Sequence, residues 1–292
     1  AVSSMLSFRS YDHNILYVSE VVSIGTRVKP RSVSSSPVPV DVLSAEDISK
    51  TGTDDLLMQL QGSIPSLNVH LQPISDAASM IRPANLRGLS ADSTLITTNG
   101  KRRHHASVIA FQGGGVNDGS QGADISVIPA IALERVEVLR DGASAQYGSD
   151  AIAGVINFVL DDISEGGSLS YKMGEYTEGD GATTTIAGKY GMPLGQDGFV
   201  TTSFQIRQAD DTSRSAQRPD AAALIAAGNT AVANPAQIWG APKIDDDVTF
   251  FMNSGVTNSD GSESYMFGNY SARDVDGGFY YRNPDGRSGV FT

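Results

Sequence analysis

Two patterns of hydrophobic and polar positions divide the chain near Asp161. Before this point, short helical patterns are followed by short apolar strands separated by turns. After it, segments about ten residues long alternate between apolar and polar residues. The first pattern predicts a compact α+β domain, and the second predicts antiparallel strands that are apolar on one face only.

The helical signals come first. Ser44 and Asp47 have the spacing of a capping box, which predicts a helix start at this point. Thr53, followed by two acidic residues, predicts the cap of a second helix that ends at Gly62. One face of that second helix carries Leu56, Leu57 and Leu60.

The strand signals follow. Two of the β-rich runs close with an Asn-Gly or Asp-Gly pair, which is typical of tight turns between strands. The runs are residues 66–71, 93–100, 135–142 and 154–160. We therefore predict that the α+β domain extends to about Asp161.

The alternating segments leave two alternatives open. Apolar positions recur at every second residue, as at Leu169, Tyr171, Met173, Ile186, Tyr190, Met192, Val200, Phe204 and Ile206. A transmembrane β-barrel wall has this pattern, and so has a soluble β-sandwich with one solvated face. Residues 163–292 have room for about four to six strands around a long loop near 209–261, whereas the smallest bacterial barrels need about eight, so a barrel would be incomplete here.

Composition excludes several classes of protein. A net charge of −12 argues against nucleic-acid binding, which needs clustered cations. The absence of cysteine excludes disulfides, thiolate metal sites and a cysteine nucleophile. No apolar run reaches the roughly 18 residues of a transmembrane helix, although membrane β-strands have a weaker signal and stay possible.

The stretch RDGASAQYGSDAIAGVINF, residues 140–158, looks at first like a phosphate-binding loop. Such a loop needs a lysine after its last glycine, whereas Gly148 is followed by Ser149 and Asp150. We interpret it as a tightly packed turn before a strand. The histidines show no arrangement that suggests a catalytic triad, so we predict no enzyme activity, no cofactor and no metal site.

Several segments in order resemble the plug domain of TonB-dependent outer-membrane receptors. The resemblance is carried by residues 20–28, 38–69, 85–102 and 119–160, which end in the run ERVEVLRDGASAQYGSDAIAGVINFVL. It spans about 20–161 and continues into strands similar to the first strands of the barrel. One departure is the pair Thr97 and Thr98 before Asn99, where the family usually has an aliphatic residue.

The resemblance implies an α+β plug domain followed by antiparallel strands of an incomplete transmembrane β-barrel. The implied domains are 1–19 as an unassigned N-terminal extension, 20–161 as the plug and 162–292 as the N-terminal part of the barrel. The implied function is energy-coupled uptake across the outer membrane of a gram-negative bacterium, with a ferric siderophore, haem, cobalamin or an oligosaccharide as ligand. The implied partners are a periplasmic TonB-type energy-coupling protein and outer-membrane lipid.

The resemblance also implies roles for two arginines and one short segment. Arg87 and Arg140 match plug arginines that pair with glutamates of the barrel wall; alternatively, they bond to nearby acids such as Glu134 or Glu137. The energy-coupling segment would be Glu20, Val21, Val22, Ser23 and Ile24, which alternatively form the first plug strand or a linker.

The outward tips of the plug are expected after Gly88 and Gly100, and their side chains would meet an anionic ligand. These ligand-facing residues are Ser90, Asp92, Arg102, Arg103, His104 and His105. The two adjacent histidines would point to opposite faces of a strand, which argues against a metal site. The alternative to a receptor is a soluble plug-like binding module with a small β-domain.

Overall fold

The computed structural model describes residues 21–22, 24, 31–32, 39–53, 55–70, 81–110, 115–278 and 280–284. The strands of the first part are β1 (Val21–Val22), β2 (Arg31–Ser32), β3 (Val40–Ser44), β4 (Leu67–Val69), β5 (Ala84–Leu86), β6 (Thr94–Thr98), β7 (Lys101–Arg102), β8 (Leu133–Leu139) and β9 (Gly154–Leu160). Those of the second part are β10 (Gly167–Gly174), β11 (Thr183–Pro193), β12 (Gly198–Ala209), β13 (Lys243–Thr257) and β14 (Glu263–Asp276). The helices are α1 (Ala45–Ser49), α2 (Leu56–Ser63), α3 (Ser144–Tyr147) and α4 (Pro219–Ala226).

The plug sheet, as we call the sheet of the first part, has the strand order β3-β8-β9-β6-β7. Only β6 and β9 run parallel; the other neighbours are antiparallel. Strand β7 is the edge of this sheet, and the chain leaves the sheet after Arg102 and returns to it at β8. Helices α1 and α2 pack on one face through Ile48, Leu57 and Leu60, which are almost fully buried with Val136, Ile156 and Phe158.

The caps of the two helices follow from short polar side chains. The Ser44 hydroxyl accepts a hydrogen bond from the Asp47 amide at 3.1 Å, which confirms the predicted start of α1. The cap of α2 is Asp55, whose carboxylate accepts from the Met58 amide at 3.1 Å, and not Thr53 as predicted. Thr53 instead accepts from the Asp55 amide, and α2 ends at Ser63 rather than Gly62.

The stretch 140–158 forms a packed turn, as predicted. Helix α3 and a short 3-10 turn at Ser149–Ala151 lead into β9 at Gly154. Gly154 has a φ of 148°, and a Cβ there would lie 2.2 Å from the Leu139 carbonyl oxygen. Only glycine allows the backbone of β9 to approach β8 this closely.

The wall sheet, as we call the sheet of the second part, contains β10 to β14 in sequence order, and every neighbouring pair is antiparallel. Short turns at 194–197 and 258–262 lie at one end, and the connections 175–182 and 210–242 lie at the other. We call the end with the short turns, where β9 leads into β10, the connection end. We call the opposite end the loop end. The predicted long loop near 209–261 is wrong in extent, because 243–257 form β13; the acidic run Asp245–Asp247 obscured the alternation that begins at Val248.

The wall sheet exposes its apolar face and buries its polar face, the reverse of the usual arrangement in water. Apolar side chains on the outer face are exposed, and rows of them run straight across the strands. Leu169, Phe204, Phe250 and Tyr270 form one row, with Gly188 beneath the Phe204 ring on β11, and Tyr171, Ile186, Ile206, Val248 and Ala272 form another. The opposite face buries polar side chains, among them Thr185, Thr201, Ser203, Thr249 and Asn253. Within the described residues, no helix is both long and apolar enough to cross a membrane.

This polarity decides between the two interpretations of the alternating segments. A soluble sandwich would bury its apolar face against a second sheet and expose the polar face. The wall sheet exposes the apolar face and packs the polar face against the first part of the chain. The interpretation as barrel wall is therefore confirmed. The described sheet has five strands and does not close on itself.

Candidate functional site at the interface of plug and wall

The interface between the two parts has a small apolar centre. Phe251 of β13 is 2% exposed and belongs to the main core cluster of the first part, and Phe267 of β14 packs against that cluster. Both side chains project from the inner face of the wall, at odd-numbered positions between polar neighbours. The apolar core of the first part of the chain, which we call the plug, is therefore completed by the wall.

At the connection end, Asp161 is the main point of attachment. Its carboxylate pairs with the ammonium group of Lys189 on β11, and its backbone carbonyl accepts from Asn253 Nδ2 at 3.1 Å. Asn99 Nδ2 lies 3.3 Å from Asn253 Oδ1, and the Asn99 carboxamide oxygen also accepts from the Leu160 amide. These bonds fix the end of β9 beside the wall strands that the chain enters next.

Strand β14 also contacts the plug through Tyr265, Asn269 and Arg273. Arg103 Nη1 donates to Asn269 Oδ1 at 3.0 Å, and the ammonium of Lys101 lies 5.7 Å from the ring centre of Tyr265. Burial lowers the pKa of Arg103, an effect that Asp124 partly offsets. Nearer the loop end, Arg273 donates to the backbone and side-chain oxygens of Ser126 at 3.0 Å each.

A buried carboxylate of the plug also faces a wall cation. Asp55 pairs with Arg82 of the plug at 2.5 Å, and Arg207 of β12 acts on it electrostatically. Burial by itself raises the pKa of Asp55, but the two arginines outweigh burial and the net pKa lies below its ordinary value. Asp55 also caps α2, so the position of this helix is coupled to the wall.

Arg87 and Arg140 both lie at the end of the plug sheet where β9 begins. Arg87 has a φ of 55° and its Nη1 is 3.4 Å from the Ala153 carbonyl oxygen. Arg140 pairs with Asp41 on the neighbouring strand β3, at 2.5 Å between Nε and Oδ2. Neither bonds to Glu134 or Glu137, the acids considered from the sequence; both of those acids bond to Arg135 instead.

The predicted energy-coupling segment lies partly outside the described residues, which omit Glu20 and Ser23. Val21 and Val22 pair antiparallel with Ser32 and Arg31. Ile24 is 2% exposed and packs on the second face of the plug sheet, in a cluster with Val40, Leu95, Leu139, Ala143, Ala151 and Val155. The described part of the segment is thus docked on the plug.

The predicted ligand-facing residues lie near one end of the plug sheet. Ser90 and Asp92 precede β6, at the end where β9 begins. After the Asn99–Gly100 turn at the connection end, the chain runs back beside β6, and Arg102 reaches Asp150 just before β9. Gln121 joins the two groups: its amide donates to Asp92 at 2.8 Å and its carbonyl contacts His105 Nδ1.

The two basic residues before His104 have other partners. Arg102 pairs with Asp150 and donates to the Tyr147 carbonyl at 2.6 Å, so it links β7 to the turn at α3. Arg103 points to the wall. His104 is exposed. In the part of the chain that the structure describes, no group of three or more His, Cys, Asp or Glu residues could hold a metal ion.

Sequence reasoning missed the cations of the wall, Lys189, Arg207 and Arg273. All three lie at the odd-numbered, inward positions of their strands, where the resemblance suggested only glutamate partners for plug arginines. The alternation of the strands contained the signal, because a charged residue in phase with buried polar positions has to meet a partner inside.

Comparison with known proteins connects this arrangement to one family. The family model described as TonB-dependent Receptor Plug Domain matches residues 32–155. A ferric enterobactin receptor and a second one, PirA, both from Pseudomonas aeruginosa, are each 32% identical to the chain over 120 residues. That alignment covers 41% of this chain and 16% of each relative, so the chain matches about a sixth of these proteins.

Solved structures extend the similarity over both parts of the chain. A mutant ferric enterobactin receptor from Pseudomonas aeruginosa, crystallised with enterobactin, superposes with a TM-score of 0.60 at 20% identity and covers 81% of this chain and 33% of its own. The siderophore receptor PirA from Acinetobacter baumannii gives a TM-score of 0.58 at 20% identity, with coverages of 86% and 34%. At this identity the likeness shows the fold. The match of 32–155 shows that this part of the chain is a plug domain of the TonB-dependent receptor family, and the strands after it have the fold of a partial barrel wall.

Proposed function

We propose that the chain is the plug and first wall strands of an outer-membrane receptor that imports a ferric siderophore by TonB-dependent uptake. The observation that carries the proposal is the inverted polarity of the wall sheet, which exposes its apolar rows and turns its polar face to the plug. A sheet of this kind fits a lipid environment outside and a filled lumen inside. The division into an extension at 1–19, a plug at 20–161 and a wall from 162 is part of this proposal.

The siderophore class rests on the relatives. Both curated relatives and the solved neighbours are named as ferric enterobactin or siderophore receptors. The part of the chain that matches them at 32% identity is the plug, whereas ligand discrimination depends on loops and wall. A siderophore is therefore the ligand class that we propose, without a particular compound.

The experiment is an uptake assay with radiolabelled ferric enterobactin as probe, in cells that express the receptor containing this chain. We expect accumulation in cells with a TonB-type partner and surface binding without accumulation in cells that lack it. Equal accumulation in both cell types would contradict energy coupling. Absence of both binding and accumulation, with the receptor correctly assembled, would contradict the ligand class.

For energy coupling we propose the segment Glu20 to Ile24, which would add as a strand to the partner. Such pairing needs backbone N–H groups, so Val22→Pro should abolish accumulation while leaving surface binding unchanged. Val22→Ala is the matched control and should retain uptake. Normal uptake by Val22→Pro would show that the coupling segment lies elsewhere.

For the plug we propose that Arg87 and Arg140 help to hold it inside the barrel, with partners on wall strands beyond those described. The Arg140–Asp41 pair leaves the guanidinium accessible, at 37% side-chain exposure. Replacing Arg87 and Arg140 by Ala should reduce uptake more than binding. The proposed ligand-facing group contains Ser90, Asp92, His104 and His105, and replacing these residues by Ala should reduce ligand binding more than uptake per bound ligand.

Arg102→Ala and Arg103→Ala test the two basic residues in the same assay. Reduced ligand binding would place them in the ligand-facing group, whereas unchanged binding would mean that they only support the plug.

A further inference from the structure

Arg273 forms an ion pair inside the wall. It lies directly opposite Asp247 on the neighbouring strand, and its Nε and Nη2 are 2.9 and 2.7 Å from Asp247 Oδ2. The side chain of Asp247 is 4% exposed and that of Arg273 is 17% exposed. The charge of Arg273 is therefore balanced by its own sheet, before any contact with the plug is counted.

The other side of the same guanidinium points at the plug. Nη1 donates to Ser126 Oγ and Nη2 to the Ser126 carbonyl oxygen, each at 3.0 Å. The Ser126 hydroxyl proton is given to Asp124 Oδ1 at 2.6 Å, and the Ser126 amide donates to the same oxygen at 2.9 Å. Because its proton is used in this turn, Ser126 Oγ offers a lone pair to Arg273.

The turn that carries Ser126 is anchored in the plug core. Ile125 and Ile128 on either side are 2% and 1% exposed and belong to the main core cluster. A shift of Ser126 relative to the wall therefore requires a shift of the core, or separation of the turn from it. Arg273 acts on the body of the plug and not on a surface loop.

Resting on the uptake proposed above, we propose that Arg273 is a plug-positioning residue, which seats the turn Asp124–Ser126 against β13 and β14. In this contact the arginine belongs to the wall and its acceptor belongs to the plug, which is the reverse of a plug arginine that pairs with a wall glutamate. Withdrawal of the turn breaks two hydrogen bonds to neutral acceptors and leaves the Asp247–Arg273 pair intact, so no ion pair has to be separated. At the connection end, Lys189 and Asp161 form an ion pair across the interface, which makes that end harder to release.

The test is hydrogen–deuterium exchange on the purified full receptor in detergent, without ligand or energy-coupling partner. We expect exchange of the amides in 124–128 to be about tenfold faster in Arg273→Met, from the loss of charge-assisted hydrogen bonds. In Arg273→Lys, the charge opposite Asp247 is kept and the fork is lost, so exchange in 124–128 should rise while β13 and β14 stay at the wild-type rate. Arg214→Met, which removes a loop arginine paired with Asp180, is the matched control and should leave 124–128 unchanged.

Two results would overturn the proposal. One is faster exchange in β13 and β14 of Arg273→Met with 124–128 at the wild-type rate, since the pair would then serve only the wall. The other is wild-type exchange at 124–128 in Arg273→Lys. Neither result depends on transport. If the wild-type receptor does not take up ferric enterobactin but the Arg273 variants show the expected exchange rates, the proposed function is contradicted and the role of Arg273 stands.

Discussion

The plug sheet and the wall sheet both contain five strands, but they place polar and apolar side chains in opposite ways. The plug sheet buries both faces, with helices on one and the cluster around Ile24 on the other. The wall sheet leaves its apolar face exposed and buries polar side chains. Alternation by itself identifies two faces of a sheet, and what packs against each face decides whether apolar or polar side chains belong there.

The plug sheet nevertheless contains one buried polar row, which runs straight across three strands. Thr97 donates to Asn157 Oδ1 at 2.7 Å, Asn157 donates to Glu137 Oε2 at 3.1 Å, and Arg135 donates to Glu137 Oε1 at 3.0 Å. The row gives the hydroxyl of Thr97 a buried partner at a position where the resemblance led us to expect an aliphatic residue. The Thr97 hydroxyl donates to the carboxamide oxygen of Asn157, and an aliphatic side chain at 97 would remove this hydrogen bond from a buried group.

The largest effect is expected from the glycine that lets two plug strands approach each other. Gly154→Ala would place a methyl group 2.2 Å from the Leu139 carbonyl oxygen at a φ of 148°. We expect a loss of roughly 3–5 kcal/mol in the free energy of unfolding of the plug, measured by limited proteolysis of the receptor at graded urea. The control Gly142→Ala has its nearest contact at 3.6 Å and should behave like wild type; equal losses would contradict the close approach.

The next largest effect tests the environment of the outer wall face. Phe250 lies in the middle of an exposed apolar row. In lipid, Phe250→Arg should cost roughly 2–4 kcal/mol of wall stability, whereas on a water-exposed sheet it would change little. Urea titration in lipid vesicles measures this. Gln208→Arg, near the loop end of the same face, is the control and should cost about 0–1 kcal/mol; a Phe250→Arg variant as stable as that control would show that the face meets water.

An intermediate effect is expected at the ion pair that joins the two sheets. The side chains of Lys189 and Asp161 are 20% and 10% exposed, so Lys189→Met leaves a largely buried carboxylate without its cation. The cost should lie between the 0–1 kcal/mol or so of a surface pair and the roughly 3–5 kcal/mol of a buried one. Unfolding in urea at neutral pH is the readout. Lys50→Met, on the surface of α1, is the control; a cost no larger than that of Lys50→Met would contradict the role of the pair.

The smallest effect concerns pH. Partial burial raises the pKa of Glu134 above its ordinary value of 4.5, although Arg135 acts in the opposite direction and the side chain is still 47% exposed. A raised pKa means that the folded plug favours the neutral form, so the contribution of Glu134 to stability falls as pH rises through that pKa. Between about pH 4 and pH 7, the free energy of unfolding should therefore fall less in Glu134→Gln than in the wild type.

Unfolding midpoints of wild type and Glu134→Gln at both pH values provide the measurement. Asp55→Asn is the opposite control and needs a further measurement below pH 3.8: the pKa of Asp55 is lowered from that value, so its contribution is present at neutral pH and is lost only as pH falls through the lowered pKa. A pH dependence that is identical in wild type and Glu134→Gln would contradict the assignment of this residue.

Much of the local structure was predictable. The cap at Ser44, the Asn99–Gly100 turn and the packed turn before Gly154 depend on neighbouring residues, which the sequence contains side by side. The cap of α2 was predicted two residues too early, because Thr53 and Asp55 both have suitable side chains and only the folded backbone shows which one meets the helix amides.

The sequence by itself determined the family resemblance, the division near Asp161 and the alternation of the second part, because these depend on residue order and period alone. Tertiary structure decided which face of the alternation is exposed, since that depends on what packs against each face. The parallel pairing of β6 and β9 also set the end of the plug sheet at which each turn lies. The fold brought Arg273 to Ser126 and Lys189 to Asp161. Such partners are separated by 28 to 147 positions, and no local pattern encodes contacts of that range.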